Sequence, residues 1–379
     1  MKTKQVIQMN NNTRESVLYM AMELSDKKWK LAFSEGSRER IRTIDSDKKD
    51  DVWKEISGSK KHFGLTEDAK VISCYEAGRE GFWIHRYLES HGVENSVMDP
   101  ASVEVERRKR RRKTDRLDAK KLLKTLMRYM WGDKEACSMA RVPSEEDEDE
   151  RHLHRELESL KKERTIHTNR MRSLLKAQGL TIDNPGRSDF KKYLDSVRLW
   201  DGSEIRKSLK DRLMREYDRY KQVDDQIKDL NRIRLKCVKE QDTKSMEHVR
   251  QMLSLKGIGI ESAWLLEKEF FSWRQFKNKK EVGSLSGLSP TPYSSGDSNR
   301  EQGISKAGNR RVRAMMIEIS WSWLRFQRES KLTVWFNERF AKGGKRMRRI
   351  GIVAVARKLL VDIWKYLEHG VIPEGAIVS

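Results

Sequence analysis

Seven consecutive cationic residues, Arg107, Arg108, Lys109, Arg110, Arg111, Arg112 and Lys113, run directly into two carboxylates, Asp115 and Asp118. Such a run can bind nucleic-acid phosphate, direct a protein to the nucleus, or simply be a solvated run flanking a helix, in each case without carboxylates, so the aspartates need a separate reason. On a helix, positions i and i+3 share a face. Two further acids close short apolar runs: Glu23 ends "VLYMAME" and Glu76 ends "VISCYE". Four carboxylates delivered from two strand ends and one helix can ligate a hard divalent cation, Mg2+ or Mn2+. A pair of such ions about 4 Å apart clamps the attacking and leaving oxygens of a phosphoryl transfer. Spacing alone also fits a solvated helix face that holds no metal.

Two other segments have chemical potential. In "LKGIGIES", Lys256, Gly257 and Gly259 lie between apolar helical stretches. A helix-hairpin-helix uses such glycines to bring backbone N–H groups onto a phosphate, while the plainer alternative is a tight turn between core helices. The stretch 287–315, "GLSPTPYSSGDSNREQGISKAGNRRVRAM", reads as a polar loop with exposed hydroxyls. It is followed by Ser305, Lys306, Gly308 and a helix whose first turn, with Arg310 and Arg311, can bind phosphate. A serine becomes a nucleophile only when activated, and no neighbouring histidine completes a triad here.

Bulk properties agree with a polyanionic partner. Of 379 residues, 80 are Lys or Arg and 58 Asp or Glu, a net charge of +22, the footprint of a nucleic-acid-binding protein. No window approaches the ~18 apolar residues of a membrane span, and the first residues lack a signal peptide's apolar core, so a cytoplasmic protein without a membrane partner is expected. Cys74, Cys137 and Cys237 show no zinc or disulfide spacing. The 11 tryptophans suit a dense helical core or stacked bases.

The elements that must position these residues follow from periodicity. From residue 16, "SVLYMAMELS", "WKLAFSE" and "RIRTIDS" read as three antiparallel strands. "DDVWKEISGSKKHFG" and "GFWIHRYLESHG" have helical spacing, "AKVISCYEAG" and "VENSVMDPA" are strands, and a helix beginning near Thr114 closes the domain. This order predicts a mixed sheet covered by helices. Pro143 and the acidic "SEEDEDE" mark a change to helical sequence, the acids suiting a first helical turn. Ile205, Leu209, Leu213, Tyr220, Val223, Ile227 and Leu230 step by threes and fours in most cases, as in a coiled-coil seam. A long helical arm results, either an intramolecular hairpin or a dimerisation arm. The expected organisation is α/β plus α: residues 1–140 the acidic domain, 141–248 the helical arm, and 249–379 a mostly helical domain.

In order and wording, "VMDPA", "KTDRLDAKKL", "LKGIGIESAWLL", "LSGLSPTPYSSG", "ISKAGNRRVR" and "GKRMRRIGIVAVARKLL" resemble the DEDD transposases of bacterial insertion sequences, the insertion sequence 110 family of bridge-RNA-guided recombinases. The resemblance spans roughly residues 16–135 and 250–372. It implies an N-terminal RuvC-like, ribonuclease-H-fold domain, a coiled-coil middle, and a C-terminal transposase domain with a catalytic serine. Carried onto this chain, the metal-binding tetrad is Glu23, Glu76, Asp115 and Asp118, and the nucleophile is Ser295, with Ser294 as the fallback. The family has aspartate where this chain has Glu23 in "AMELS", which leaves two alternatives to Glu23 as a ligand, Asp26 in its place or an altered activity, and its Thr-Gly-Tyr after the second acid is absent, "EAGREG" standing there. The resemblance further implies a phosphoserine link to DNA, a structured noncoding guide RNA that selects donor and target DNA, and homodimers pairing into a tetramer, so that acids and serine can come from different subunits. Two alternatives are a RuvC-like nuclease or resolvase using the acids alone, and an inactive nucleic-acid-binding remnant.

Overall fold

The computed structural model describes residues 16–100, 102, 115–295 and 298–378, with side chains described throughout except at 292–302; the basic run Arg107–Lys113 lies outside the described residues. The chain divides into two compact units, Met1–Val142 and Pro143–Ser379.

In the first unit, β1 (Val17–Glu23), β2 (Lys28–Ser34), β3 (Glu39–Asp45), β4 (Lys70–Glu76) and β5 (Glu94–Met98) form one sheet in the order β3-β2-β1-β4-β5. The first three strands pair antiparallel, whereas β4 and β5 run parallel to β1. Strand side chains alternate between faces. Leu18, Met20, Met22, Val71 and Tyr75 pack against α1 (Asp51–Phe63) and α2 (Trp83–Glu89). On the opposite face, Tyr19, Ala21, Ile72 and Cys74 pack against α3 (Asp115–Met130). Burial on both faces explains why β1 and β4 read as unbroken apolar runs. This mixed sheet with helices on both sides is compatible with a RuvC-like domain.

The described residues of the second unit are mainly helical and include a hairpin. Ser144 accepts from the Asp147 amide and caps α4 (Glu145–Asp149), so the acidic run is a helix start. Helices α5 (His152–Lys176) and α7 (Lys207–Glu240), with α6 (Phe190–Ser196) between them, pack together. Leu157 and Leu160 meet Val223 and Ile227, and Met171 and Leu175 meet Leu213 and Tyr217. Those pairings run in opposite directions along the two helices, making the arm an antiparallel intramolecular hairpin. Beyond it come α8 (Lys244–Ser254), α9 (Ile260–Leu266), a π-helical turn Glu267–Phe271 and α10 (Lys279–Leu285). After α11 (Arg310–Phe326) and α12 (Lys331–Phe336), a second π-helical turn, Asn337–Ala341, leads to α13 (Lys345–His369). Trp264, Trp323 and Trp364 are buried in this core.

Residues 290–304 differ from the polar loop expected. They form an antiparallel hairpin of β6 (Pro290–Ser295) and β7 (Ser298–Ile304), irregular between Pro290 and Pro292. Proline donates no ladder hydrogen bond, which restricts it to such irregular or edge positions.

Candidate functional site

Glu23 and Glu76 are the last residues of two neighbouring parallel strands. The pairing of β1 with β4 reaches Met22 opposite Tyr75, so the two glutamates stand one step beyond it. Both have the parity of Ala21 and Cys74, which puts them on the face covered by α3. That helix runs against β1. Its far end brings Trp131 Nε1 to the Tyr19 hydroxyl near the start of β1, at 3.3 Å. Nearer its beginning, the Leu122 carbonyl accepts from Cys74 Sγ at 3.8 Å, two residues before Glu76. The first turn of α3, carrying Asp115 and Asp118, therefore lies toward the strand ends that carry the glutamates.

All four acids are thus brought to one end of one face, but they do not converge to ligating distance. Among the described residues, no three His, Cys, Asp or Glu side chains form a group able to hold a metal ion. One observation favours a cation there: Asp118 Oδ2 is buried and has no hydrogen-bond partner. Buried acceptors are ordinarily satisfied, and an all-carboxylate donor set suits a hard divalent ion. Asp115 and Glu76 are exposed, while Glu23 is half-buried. Asp26, the alternative to Glu23, pairs with Arg79 at 2.8 Å and is largely exposed.

In the second unit, Ser295 occupies the last paired position of β6, opposite Ser298, with Ser294 opposite Asn299. Backbone bonds hold the base of this hairpin against the end of α10. The amides of Ser305, Lys306 and Asn309 donate to the carbonyls of Ser289, Gly287 and Leu285 at 2.8, 3.1 and 3.4 Å. Two positive-φ glycines permit this approach: a Cβ on Gly287 would collide with the Ala307 carbonyl oxygen, and one on Gly308 with that of Leu285. Lys306, at φ 56°, is the only non-glycine residue with positive φ among those described.

Asn309 then caps α11, its Oδ1 accepting from the amides of Arg311 and Val312. Its Nδ2 donates to Glu269 Oε2 at 2.8 Å. Glu269 also accepts from His154 Nε2 at 2.9 Å and from Arg155 Nε and a terminal guanidinium nitrogen at 2.8 and 3.1 Å. Burial acts to raise the Glu269 carboxyl, but the donors His154, Arg155 and Asn309 together with the Arg155 charge outweigh it and hold the group far below the usual carboxylate range. Sequence reading singled out neither Glu269 nor Asn309. The signals were there, in an Asn immediately before a basic helix and in "EKE" interrupting the apolar "WLLEKEFF".

The remaining sequence-predicted residues are spread over this unit. Lys306, Arg310 and Arg311 are exposed around the start of α11, and Arg311 pairs with Glu158 at 2.8 Å. The turn joining α8 to α9 contains Lys256, Gly257 and Gly259. Its carbonyls at 256 and 257 accept from Gln327 Nε2 and Ser322 Oγ at 2.8 and 2.7 Å, while Lys256 and Gly259 are exposed.

A mixed sheet with acids at neighbouring strand ends is compatible with the fold class of a DEDD, RuvC-like domain. Residues 42–178 match a DEDD transposase family, a span holding Glu76, Asp115 and Asp118 but not Glu23. Residues 249–334, which include Ser295, match the IS116/IS110/IS902 transposase family. The candidate transposase y4rJ of Sinorhizobium fredii is 37% identical over 382 residues, covering 96% of this chain and 94% of that protein. The transposase of insertion sequence element IS1328 of Yersinia enterocolitica is 25% identical over 222 residues, 58% of this chain and 63% of the relative. That of IS1111A of Coxiella burnetii is 28% identical over 210 residues, 55% of each. The chain belongs to the IS110 family of DEDD transposases, enzymes that act on DNA. Among the described residues no helix is long and apolar enough to cross a membrane.

Proposed function

We propose that this transposase recombines donor and target DNA with two sites, the acids of the first unit and Ser295 of the second. The observation that carries the reading is the placement of Glu23 and Glu76 at adjacent parallel strand ends, on the face where α3 presents Asp115 and the orphaned Asp118 Oδ2. DEDD domains are typically divalent-metal dependent, and Glu23, Glu76, Asp115 and Asp118 are the residues that would hold Mg2+ or Mn2+. A bound divalent ion supplies charge neutralisation and polarisation of the scissile phosphate.

Ser295 Oγ forms a bond to phosphorus as the P–O3′ bond breaks. The leaving oxygen departs as a free 3′ hydroxyl, taking up the proton that the serine gives up. A 3′ hydroxyl from the other DNA then attacks the phosphoserine, forming the new phosphodiester and returning the proton to Ser295, so exchange needs no high-energy cofactor. Arg107–Lys113, the Lys256–Gly259 turn, Lys306, Arg310 and Arg311 hold nucleic-acid backbone, in keeping with the net charge of +22. A guide RNA selects both DNAs by base pairing, and homodimers pair into a tetramer in which acids and serine are drawn from different subunits.

The experiment combines purified protein, Mg2+, RNA transcribed from the DNA flanking the gene, and donor and target duplexes. The reading predicts a denaturation-resistant DNA adduct that maps by mass spectrometry to Ser295 and depends on the RNA. Strand cleavage without any adduct would support a nuclease using the acids alone, a reading favoured by the confinement of all four acids to one compact unit.

A further inference from the structure

The C-terminal region contains a cleft that neither the acids nor Ser295 use. It lies between α10, α12, α13 and the segment after α13, with a volume of about 690 Å3. That is within the range of about 300–1,000 Å3 typical of small-molecule sites. Lys279 and Lys280 from α10 and Arg357, Lys358 and Lys365 from α13 line it. Among the described residues none of these five forms an ion pair. Lys331 is neutralised by Glu374 at 2.7 Å, and Asp362 is the other carboxylate in the lining. The wall and floor are apolar: Trp335, Leu332, Val361 and Pro373, with Lys358 Nζ 4.6 Å from the centre of the Trp335 ring.

Unpaired cations above an apolar floor match a nucleotide, whose phosphate is anionic and whose base is flat and apolar on its faces. Inside a duplex the base is stacked and paired, so only sugar and phosphate would reach the cleft and the floor would stay unfilled. An unpaired base can enter and lie on aromatic and apolar side chains, as single-strand binders require. We infer that this cleft binds an unpaired nucleotide of a single-stranded nucleic acid, with Lys279, Lys280, Arg357, Lys358 and Lys365 on the flanking phosphates and the base against Trp335 and the floor. Since the cleft shares no residue with the acids or Ser295, its failure would be read separately from theirs.

The test uses the full-length protein and single-stranded oligonucleotides bearing 5-iodouracil, one RNA and one DNA, with photo-crosslinked peptides mapped by mass spectrometry. Trp200, 90% exposed, is the control for incidental contact. The expected result is labelling of Trp335 at least about fivefold above Trp200, undiminished by blunt duplex competitor. The RNA and DNA arms show which strand occupies the cleft, and preferential labelling by either supports the assignment. Lys358→Glu/Lys365→Glu is expected to abolish the Trp335 label and, at about 0.7 per lost contact, to lower the slope of log K against log salt by about 1.4. Lys279→Glu/Lys280→Glu, on the opposite wall, gives the same loss by an independent route, and circular dichroism verifies that both variants fold. Equal labelling of Trp335 and Trp200, or a Trp335 label unchanged by both charge reversals, would overturn the assignment.

Discussion

Asn309 couples the cap of α11 to a buried carboxylate: its Oδ1 accepts from two helix amides while its Nδ2 donates to Glu269 at 2.8 Å. The same residue closes the backbone clasp at the base of the β6–β7 hairpin. Loss of a cap alone costs about 1 kcal/mol, and Asn309→Ala is expected to exceed that because Glu269 loses a donor. Removing the buried carboxylate is worse. Glu269→Ala leaves the side chains of His154 and Arg155 without their acceptor, a loss of roughly 3–5 kcal/mol by the general behaviour of buried pairs. Urea midpoints at constant m-value measure both.

Glu269 also sets an acid limit on stability. Its folded-state carboxyl lies far below the ordinary 4.5, so the unfolded chain binds this proton more tightly than the native one. The stabilisation is complete above about pH 4.5 and is lost as pH falls from there through the folded value. Thermal midpoints followed from pH 7 down to about pH 3 should show this acid limb, and Glu269→Gln should flatten it.

A divalent ion at the acids makes a prediction independent of cleavage. At a hundredfold excess over its Kd, Mg2+ should stabilise wild type by about 2.7 kcal/mol. Asp118→Asn should abolish that gain while leaving the metal-free midpoint equal or higher, because the charge on a half-buried side chain with one buried, unpartnered oxygen is removed. Glu23→Gln should behave similarly in metal binding, whereas Asp26→Asn, at an exposed turn residue held by Arg79, should leave the metal response intact. The reverse outcome would make Asp26 the first acid.

Gly287 and Gly308 test the clasp. Both have positive φ, at 69° and 100°, and an added Cβ would strike backbone carbonyl oxygens that cannot swing aside. Gly287→Ala and Gly308→Ala should each cost at least 1–3 kcal/mol, roughly the strain of one unfavourable backbone position. Catalysis should fall further than stability does, since the clasp positions the Ser295 hairpin; adduct yield measured well below the unfolding transition separates the two effects.

The α/β domain was legible because β1 and β4 are buried on both faces and so appear as apolar runs, "VLYMAME" and "VISCYE", separated by helical spacing. Strand parity places Glu23 and Glu76 each on one face of its own strand. That these are the same face, at neighbouring positions, depends on β4 pairing with β1, a long-range contact that no local pattern encodes. The β6–β7 hairpin was hidden because "SNREQG" carries no strand periodicity in its sequence, and the backbone pairing that defines the hairpin leaves no local pattern. Glu269 and Asn309 were missed for a related reason. They are separated by 40 residues in the chain, and their meaning lies in the contact. "LTVWFNERF" announced aromatic content but not that Trp335 would line a cationic cleft.

The central claim is that the acids and Ser295 act on the same phosphodiester, and adduct formation measured in parallel on wild type, Ser295→Ala and Asp118→Asn tests it most directly. With Mg2+, guide RNA and both DNAs present, wild type is expected to form the denaturation-resistant adduct with release of a 3′ hydroxyl. Neither variant should form adduct or cut either strand, although both retain the wild-type circular dichroism spectrum. Strand cleavage by Ser295→Ala at the wild-type rate would contradict the account.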